Sequence, residues 1–306
     1  MSLPTHEASA SEVLDQLRVI IESGDGEALH QTLWREWQAL RHYLCSFRLD
    51  DAPADLLHPY VTDALPRFLR TLELLPPQAG LRVLELGANP YLFTLLLKRL
   101  HRYELTLANF TGRNIYDTTL GQGVQQIRSE RYGEDHTLAY DSFNLELSDY
   151  PYPDGSFDLV LFCEILEHLV IDPLPIFGKL RRVIKPGGLL LVTTPNAVRL
   201  QNLALILAGS NLFDRYHPQN GVYGRHNREF TLAELKQILH DSSFEIVRLF
   251  TADRHNYDQT PIYRDSYEPP GRIPYTRAVV EAALRLVNAP LDHRGDNIYA
   301  LARRPL

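Results

Sequence analysis

The chain has 306 residues, a formal net charge of −7 at pH 7 and a hydrophobic fraction of 44%. This length is enough for one large domain, or for one domain with a helical appendage. The acidic balance argues against a general binder of nucleic-acid phosphates. No apolar run reaches the roughly 20 residues that cross a bilayer, and no secretory signal starts the sequence. We therefore expect a cytoplasmic protein that binds neither nucleic acid nor membranes. The two cysteines, Cys45 and Cys163, lack metal-ligand spacing, so no metal site is predicted.

Apolar residues at helical spacing predict helices over residues 11–46, with a break at Gly24-Asp25-Gly26. A further helix is predicted at 59–75, before the Pro76-Pro77 pair. We interpret residues 1–78 as a helical N-terminal region. Its Trp34 and Trp37 suit either a cap over an active site or a homodimer contact, and the sequence leaves both open.

Strand and helix patterns alternate from residue 81, which predicts an α/β fold with a doubly wound parallel sheet in a domain at 79–306. The apolar segment after Asp172 and the segment after Thr231 each begin with a residue that caps helices. A turn is predicted at Lys185–Gly188, and two long insertions at 197–229 and 253–296. The predicted strands are 82–86, 104–109, 137–144, 158–163, 188–194, 244–250 and 297–303, and further helices are predicted at 91–101 and 172–184.

Residues 82–95 read as a buried strand, a glycine turn and an apolar helix. Glu85 interrupts the apolar run with a carboxylate, which is costly to bury unless it is hydrogen-bonded. Gly87 permits a tight turn close to a ligand, and the helix that follows offers free N–H groups. A carboxylate and a glycine at the end of a parallel strand suit the hydroxyls of a ribose. The segment therefore predicts a site for a cofactor that contains a nucleoside.

Three more motifs follow in order: a Pro-Asp-Gly-Ser-Phe-Asp segment within 152–168 that leads to Glu167-His168-Leu169, then Lys185–Gly188, then Thr194-Pro195-Asn196. With Leu84–Gly87 they resemble the class I S-adenosylmethionine-dependent methyltransferases, in their type 11-like branch, over residues 81–250. The resemblance implies a Rossmann-like, mostly parallel sheet of seven strands whose last strand is antiparallel. It also implies S-adenosyl-L-methionine as the cofactor.

Position by position, the resemblance places four segments of the chain around this cofactor. Two positions depart from the family pattern, because Asn89 replaces a glycine and Asn109 replaces an acid that holds both ribose hydroxyls. Asparagine tolerates positive φ, and its amide can bond one hydroxyl. Glu85 as a purely structural carboxylate, Asn89 as a plain helix-entry residue and Cys163 as an ordinary buried residue are the alternatives. The implied cofactor-binding residues are Glu85, Gly87, Ala88, Asn89, Asn109, Asn144, Leu145, Cys163 and Glu164.

Methyl transfer to a hydroxyl benefits from a base, and the sequence offers two candidates, His168 and His226. We expect the insertion at 197–229 to cover a small-molecule acceptor, with Tyr223, Arg225 and Arg228 in contact with it. The alternatives are a histidine at 168 that only braces its loop, and a solvated loop whose Arg and Glu side chains pair with each other.

The predicted function is methyl transfer to an oxygen or nitrogen of a saccharide or a secondary metabolite. A nicotinamide-dependent oxidoreductase is disfavoured, because Gly87-Ala88-Asn89-Pro90 lacks the glycine spacing that binds a pyrophosphate. A non-catalytic protein that binds S-adenosylmethionine or serves as a scaffold stays open, because of Asn89 and Asn109.

Overall fold

The computed structural model describes residues 9–50, 54–110, 114–213, 221, 223–254, 263–264, 271–272 and 277–306. The chain divides into two compact units, and each is described by itself. The first comprises Met1–Asn109 and Gly121–Asp141, and the second comprises Phe110–Leu120 and Ser142–Leu306. The boundary that the sequence predicts at residue 78 is not a boundary between these units. The N-terminal helices belong to the same unit as the first strands of the sheet.

The first unit begins with helices, as predicted. Ser9 accepts a hydrogen bond from the backbone N–H of Glu12, and the Glu12 side chain accepts from the backbone of Ser9, so a capping box starts α1. Gly24, with a φ of 74°, ends this helix. The elements are α1 (Ala10–Ser23), α2 (Gly26–Arg35), α3 (Trp37–Leu44), the short strand β1 (Arg48–Leu49) and α4 (Ala54–Leu72).

The strands of the first unit lie in the order β1-β4-β5-β3-β2. Strands β2 and β3 are parallel, with Leu86 opposite Ala108, so Gly87 follows β2 where β3 ends at Asn109. Val83 and Leu84 are fully buried, which explains the unbroken apolar pattern there. The elements are β2 (Arg82–Leu86), α5 (Leu92–Leu100), β3 (Glu104–Asn109), β4 (Gly121–Ser129) and β5 (Glu134–Ser142).

The second unit contains the strand order β6-β7-β11-β8. Strands β6 and β7 are parallel, whereas β11 is antiparallel to both β7 and β8. The elements are β6 (Phe157–Cys163), a 3₁₀ turn (Leu166–His168), α6 (Pro173–Val183), β7 (Ile184–Pro195), α7 (Leu200–Leu207), α8 (Leu232–Asp241), β8 (Glu245–Ala252), a small hairpin of β9 (Tyr263–Arg264) and β10 (Gly271–Arg272), α9 (Arg277–Leu286) and β11 (Asn297–Arg303).

The α/β class and the antiparallel last strand are confirmed. All seven predicted strands are present, and β1, β4 and the two strands of the small hairpin, β9 and β10, are additional. Strand β1 has two residues and β4 alternates exposed and buried positions, so neither shows the continuous apolar run of the central strands. The predicted helix starts are also confirmed, because Asp172 caps α6 and Thr231 forms a capping box with Glu234.

The turn predicted at Lys185–Gly188 is wrong, because β7 begins at Ile184 and includes these residues. Gly187 has a φ of 78°, and the paired register of β6 with β7 shifts near this point. The Pro-Gly-Gly sequence therefore produces an irregular strand start rather than a separate turn. None of the helices in the described part of the chain is both long and apolar enough to cross a membrane.

Candidate functional site

Glu85 lies at the carboxyl end of β2 in the first unit and is 5% exposed. The Thr94 hydroxyl on α5 donates a hydrogen bond to Glu85 Oε2 at 2.7 Å. Burial raises the pKa of Glu85 to about 7, while the hydrogen bond from Thr94 works in the opposite direction. Burial therefore favours the protonated form of the Glu85 carboxyl group.

The loop after Glu85 turns at Gly87, whose φ is 65° and whose N–H donates to the carbonyl of Ala108 at 2.9 Å. Ala88 is buried and Asn89 is exposed. The left-handed residues of this loop are Gly87 and Tyr91, so the positive φ that asparagine tolerates is not used at Asn89. Asn109 is half-buried at the end of β3. Gly87 thus follows β2, and Asn109 ends the adjacent parallel strand β3.

In the second unit, Cys163 ends the buried strand β6, Glu164 follows it, and both residues are half-buried. Glu164 has a φ of 54°, an uncommon conformation for this residue type. The Thr193 hydroxyl donates to Glu164 Oε1 at 2.8 Å, and Asn297 Nδ2 donates to both carboxylate oxygens at 3.0 and 3.1 Å. Strands β7 and β11 therefore hold the Glu164 carboxylate in place.

Glu167 lies one turn further along the chain and is 1% exposed. The Thr194 hydroxyl donates to Glu167 Oε2 at 2.9 Å, whereas Oε1 has no hydrogen-bond partner among the described residues. Burial, followed by the nearby Glu164 carboxylate, raises the pKa of Glu167, while His226 and the hydrogen bond from Thr194 lower it, and the net result is a pKa of about 8. A buried carboxyl group with one oxygen left without a hydrogen bond destabilises the fold, and groups of this kind are concentrated at functional sites.

His168 and His226 lie beside Glu167, with their rings 5.1 Å apart at 79°. His168 Nδ1 lies 2.9 Å from the carbonyl of Arg225, and His226 Nδ1 lies 3.0 Å from Glu229 Oε1. Since a carbonyl only accepts, and an ionised carboxylate only accepts, both Nδ1 atoms are the donors. Each ring therefore carries its lone pair on Nε2 when it is neutral.

Glu229, which contacts the His226 ring, is itself held by a buried ion pair with Arg199. Arg199 Nη1 and Asn202 Nδ2 both donate to Glu229 Oε2, at 2.7 and 2.8 Å. Burial alone raises the pKa of Glu229, but the hydrogen bond with His226 and the Arg199 guanidinium lower it below its usual value. Glu229 is therefore ionised and fixes the orientation of the His226 ring.

The backbone around Glu167 ties residues 225–229 to the 3₁₀ turn. The N–H groups of Asn227 and Arg228 donate to the Glu167 carbonyl at 2.7 and 3.2 Å, and Asn227 Nδ2 donates to the His168 carbonyl at 2.9 Å. The end of the predicted insertion thus packs on the turn that carries Glu167 and His168. Residues 214–220 and 222 of that insertion lie outside the described residues.

The three predicted acceptor-binding residues differ in their surroundings. Arg228 is 62% exposed and forms an ion pair with Glu234 on α8 at 2.6 Å. Arg225 is half-buried and donates through Nε to Asn227 Oδ1 at 3.0 Å. Both arginines thus have partners within the protein, which matches the alternative of a loop whose charges pair internally.

Tyr223 lies elsewhere, against the loop after β5. Its hydroxyl lies near the side chains of Glu146 and Asn144, and its ring meets the edge of Phe110 at 5.6 Å between centroids. Burial is the main reason why the pKa of Tyr223 is raised. Tyr223 therefore lies beside the residues that the resemblance assigns to the adenine, rather than beside Glu167.

Asn144 is buried, and its side chain forms hydrogen bonds with backbone groups of its own loop and of Ile115. Its Oδ1 accepts from the N–H groups of Glu146 and Leu147 at 2.9 and 3.2 Å, and its Nδ2 donates to the carbonyl of Ile115 at 2.8 Å. Leu145, by contrast, is half-buried. The geometry thus gives Asn144 a positioning role in this loop.

Sequence reasoning did not single out Glu167 or Glu229, although it named both histidines that they contact. The signal at Glu167 was available, since two carboxylates and an imidazole follow β6 directly as Glu164, Glu167 and His168. Glu229 contacts His226 from only three residues away, whereas Asn297 gave no local signal, because only the folded chain brings it to Glu164.

Comparisons with known proteins agree with this architecture. A family model described as a methyltransferase domain matches residues 57–249, more than half of the chain. A protein of Mycolicibacterium smegmatis, named a probable S-adenosylmethionine-dependent methyltransferase, is 33% identical over 33% of this chain and 33% of its own length. A ubiquinone biosynthesis O-methyltransferase of Cereibacter sphaeroides is 30% identical over 52% of this chain and 60% of its own length. The chain therefore spans only about a third and three fifths of these two relatives.

A solved structure of a methyltransferase from Archaeoglobus fulgidus aligns with 80% of this chain and 93% of its own, at 16% identity and a TM-score of 0.46. The extent of the family match is what establishes the family. The chain belongs to the methyltransferase domain family, as its resemblance to the class I S-adenosylmethionine-dependent enzymes implies.

Proposed function

We propose that the protein transfers the methyl group of S-adenosylmethionine to a hydroxyl oxygen of a small aromatic acceptor. The observation that carries this proposal is the cluster of Glu167, His168 and His226 after strand β6. The names of the Cereibacter sphaeroides and other ubiquinone biosynthesis O-methyltransferase relatives support the oxygen acceptor. Glu85 and Asn109 are proposed to accept hydrogen bonds from the cofactor.

The sulfonium of the cofactor is already an activated methyl donor, so the enzyme mainly aligns the acceptor and excludes water. A hydroxyl must still lose its proton during the transfer. A phenolic hydroxyl has a pKa near 10, which lets a nearby histidine or carboxylate accept the proton. An amine acceptor has less need of such a base, and this cluster therefore favours oxygen.

The test compares a catechol with the amine of the same ring as acceptors, with release of S-adenosylhomocysteine as the readout. We expect turnover with the catechol, and a loss of about 100-fold or more in kcat for His226→Ala. Arg228→Ala is the matched control, because this exposed side chain pairs with Glu234 and we expect it to keep its turnover.

Turnover of the amine but not of the catechol would contradict an oxygen acceptor. Binding of S-adenosylhomocysteine without turnover of any acceptor in a wider panel would instead favour the non-catalytic alternative, which Asn89 and Asn109 leave open.

A further inference from the structure

We propose that Glu167, His168 and His226 bind one divalent transition-metal ion through a carboxylate oxygen and two imidazole nitrogens. One ligand atom from each of these residues lies within 4.8 Å of the others. His168 Nε2 lies 3.9 Å from Glu167 Oε1. Two ligands of a common ion lie up to about 4.2 Å apart when each is about 2.1 Å from it. The three side chains thus converge at nearly the spacing that an ion requires.

The orientation of the two rings supports a metal site in particular. Both Nδ1 atoms donate, one to the carbonyl of Arg225 and the other to the carboxylate of Glu229. The Nε2 lone pairs are therefore the ones that the two rings offer to a ligand. Metal-binding histidines characteristically bind the ion through one nitrogen while the other donates to a carbonyl or a carboxylate.

Glu167 provides the independent observation. Its Oε1 is buried without a hydrogen-bond partner among the described residues, and the residue is 1% exposed. Thr194 holds the other oxygen, Oε2, at 2.9 Å, so the carboxyl group is fixed with one oxygen left for a ligand. An orphaned buried oxygen is costly, and a cation at this point would offset the cost.

Charge balance points the same way. Glu164 lies close enough to raise the energy of an ionised Glu167, since their carboxylates repel each other. Both carboxylates belong to one short segment, and a cation would turn this repulsion into attraction. The charge of the ionised Glu229 is balanced by Arg199. Glu229 therefore orients the His226 ring, and Glu167 is the carboxylate that binds the ion.

Two nitrogens and one oxygen suit zinc, manganese, iron or cobalt better than calcium, which prefers oxygen ligands alone. Three protein ligands also leave positions open for water or a substrate oxygen, as in catalytic metal sites. A hydroxyl acceptor in such a position would lose its proton more readily. This use of the open position rests on the proposed oxygen acceptor, whereas metal binding itself does not.

The experiment titrates the full-length protein, freed of metal with a chelator and desalted, with Co²⁺. Visible absorption reports nitrogen and oxygen ligands of cobalt, and calorimetry reports stoichiometry. We expect one ion per chain, and at least 100-fold weaker binding in His226→Ala and in Glu167→Gln. His240→Ala is the matched control, because that side chain is 81% exposed on α8, and we expect binding as in the wild type.

Glu229→Gln adds a variant that leaves all three proposed ligands in place. We expect it to weaken Co²⁺ binding by about 10- to 100-fold, because the amide orients the His226 ring less well than a carboxylate does. Titration with S-adenosylhomocysteine verifies that each variant is folded.

Absence of Co²⁺ binding to the wild type, or equal binding in His226→Ala and Glu167→Gln, would overturn the metal site if these proteins still bind S-adenosylhomocysteine. These readouts do not depend on the acceptor. A protein that binds Co²⁺ at these residues and yet methylates no hydroxyl would retain the metal site and refute only the proposed function.

Discussion

Two buried carboxyl groups, Glu85 in the first unit and Glu167 in the second, invite comparison. Both lie just at or beyond the end of a parallel strand, each accepts a hydrogen bond from a buried threonine, and burial raises the pKa of both. They differ in their other neighbours. Glu167 adjoins two histidines and a second carboxylate, while the pKa of Glu85 responds to burial and to Thr94 alone.

Burial therefore shifts a carboxyl group toward its neutral form, but the neighbouring side chains decide which chemistry the group can perform. Glu85, whose pKa is about 7, is suited to accept hydrogen bonds from a cofactor that carries its own donors and a positive charge. Glu167 has two imidazole rings and a second carboxylate beside it, which suits the reaction chemistry proposed above. The variants below test this division of roles.

The largest effect is expected from Glu167→Gln. We expect kcat on the hydroxyl acceptor to fall by about 100-fold or more, because the amide can neither accept a proton nor carry negative charge. The affinity for S-adenosylhomocysteine, measured by calorimetry, is expected to be unchanged. Glu245→Gln replaces an exposed carboxylate on β8 and serves as the matched control. Full turnover in Glu167→Gln would contradict a role of Glu167 in the reaction.

Glu85→Gln is expected to act on stability and its dependence on pH. The pKa of Glu85 is about 7 in the folded protein and 4.5 in the unfolded chain, so the folded state binds the proton more tightly. Its favourable contribution is complete below pH 4.5 and is lost as the pH rises through 7. Between pH 4.5 and 8 the wild type should lose about 3 kcal/mol relative to the variant.

Chemical denaturation at several pH values measures this difference. Glu104→Gln, an exposed change on the neighbouring strand β3, is the control and should follow the wild type. Parallel curves for the wild type and Glu85→Gln would show that Glu85 ionises as an ordinary exposed carboxylate.

The two threonines offer a matched pair of smaller changes, Thr94→Val and Thr194→Val. Each removes one hydrogen bond to a buried carboxyl group, and we expect a loss of about 1–2 kcal/mol in the free energy of unfolding. The loss in Thr94→Val should be larger at pH 8 than at pH 5, since the hydroxyl favours the ionised form of Glu85. Only Thr194→Val is expected to lower turnover as well. Equal turnover in both variants would contradict the division of roles.

The smallest effect is expected from Tyr223→Phe. The variant removes the hydroxyl that lies near Glu146 and Asn144 but keeps the ring against Phe110. If this loop contacts the adenosine, affinity for S-adenosylhomocysteine should fall by about 3- to 10-fold, the value of one hydrogen bond. Tyr116→Phe, which alters a residue that is 77% exposed, is the calorimetric control. A change in kcat with unaltered cofactor affinity would place Tyr223 with the acceptor instead.

Local signals predicted most of the fold. Buried strands such as Arg82–Leu86 and capped helices such as those after Asp172 and Thr231 carry their pattern within a few residues. The strand at Gly121–Ser129 was not predicted, because its exposed positions dilute the apolar signal. At Ile184 the pairing with neighbouring strands overrode the turn preference of Pro186-Gly187-Gly188.

The site was less predictable, for a physical reason. His168 and His226 were identified from the sequence, but their roles depend on contacts between segments that are far apart in the chain. Glu229 reaches His226 locally, whereas Asn297 reaches Glu164 across 133 positions. No local pattern encodes such a contact, so the groups that hold Glu164 in place emerge only from the folded chain.

Strand β11 has a consequence for the order in which the second unit assembles. It lies between β7 and β8, and it pairs with both along its whole length. Until residues 297–303 emerge from the ribosome, β8 has no neighbour in the strand order of this unit, and β7 exposes an open edge. Long-range pairing of this kind slows folding. During synthesis the second unit therefore exposes the edges of β7 and β8 that β11 later covers. Exposed strand edges are the places where a nascent chain most readily associates with other chains.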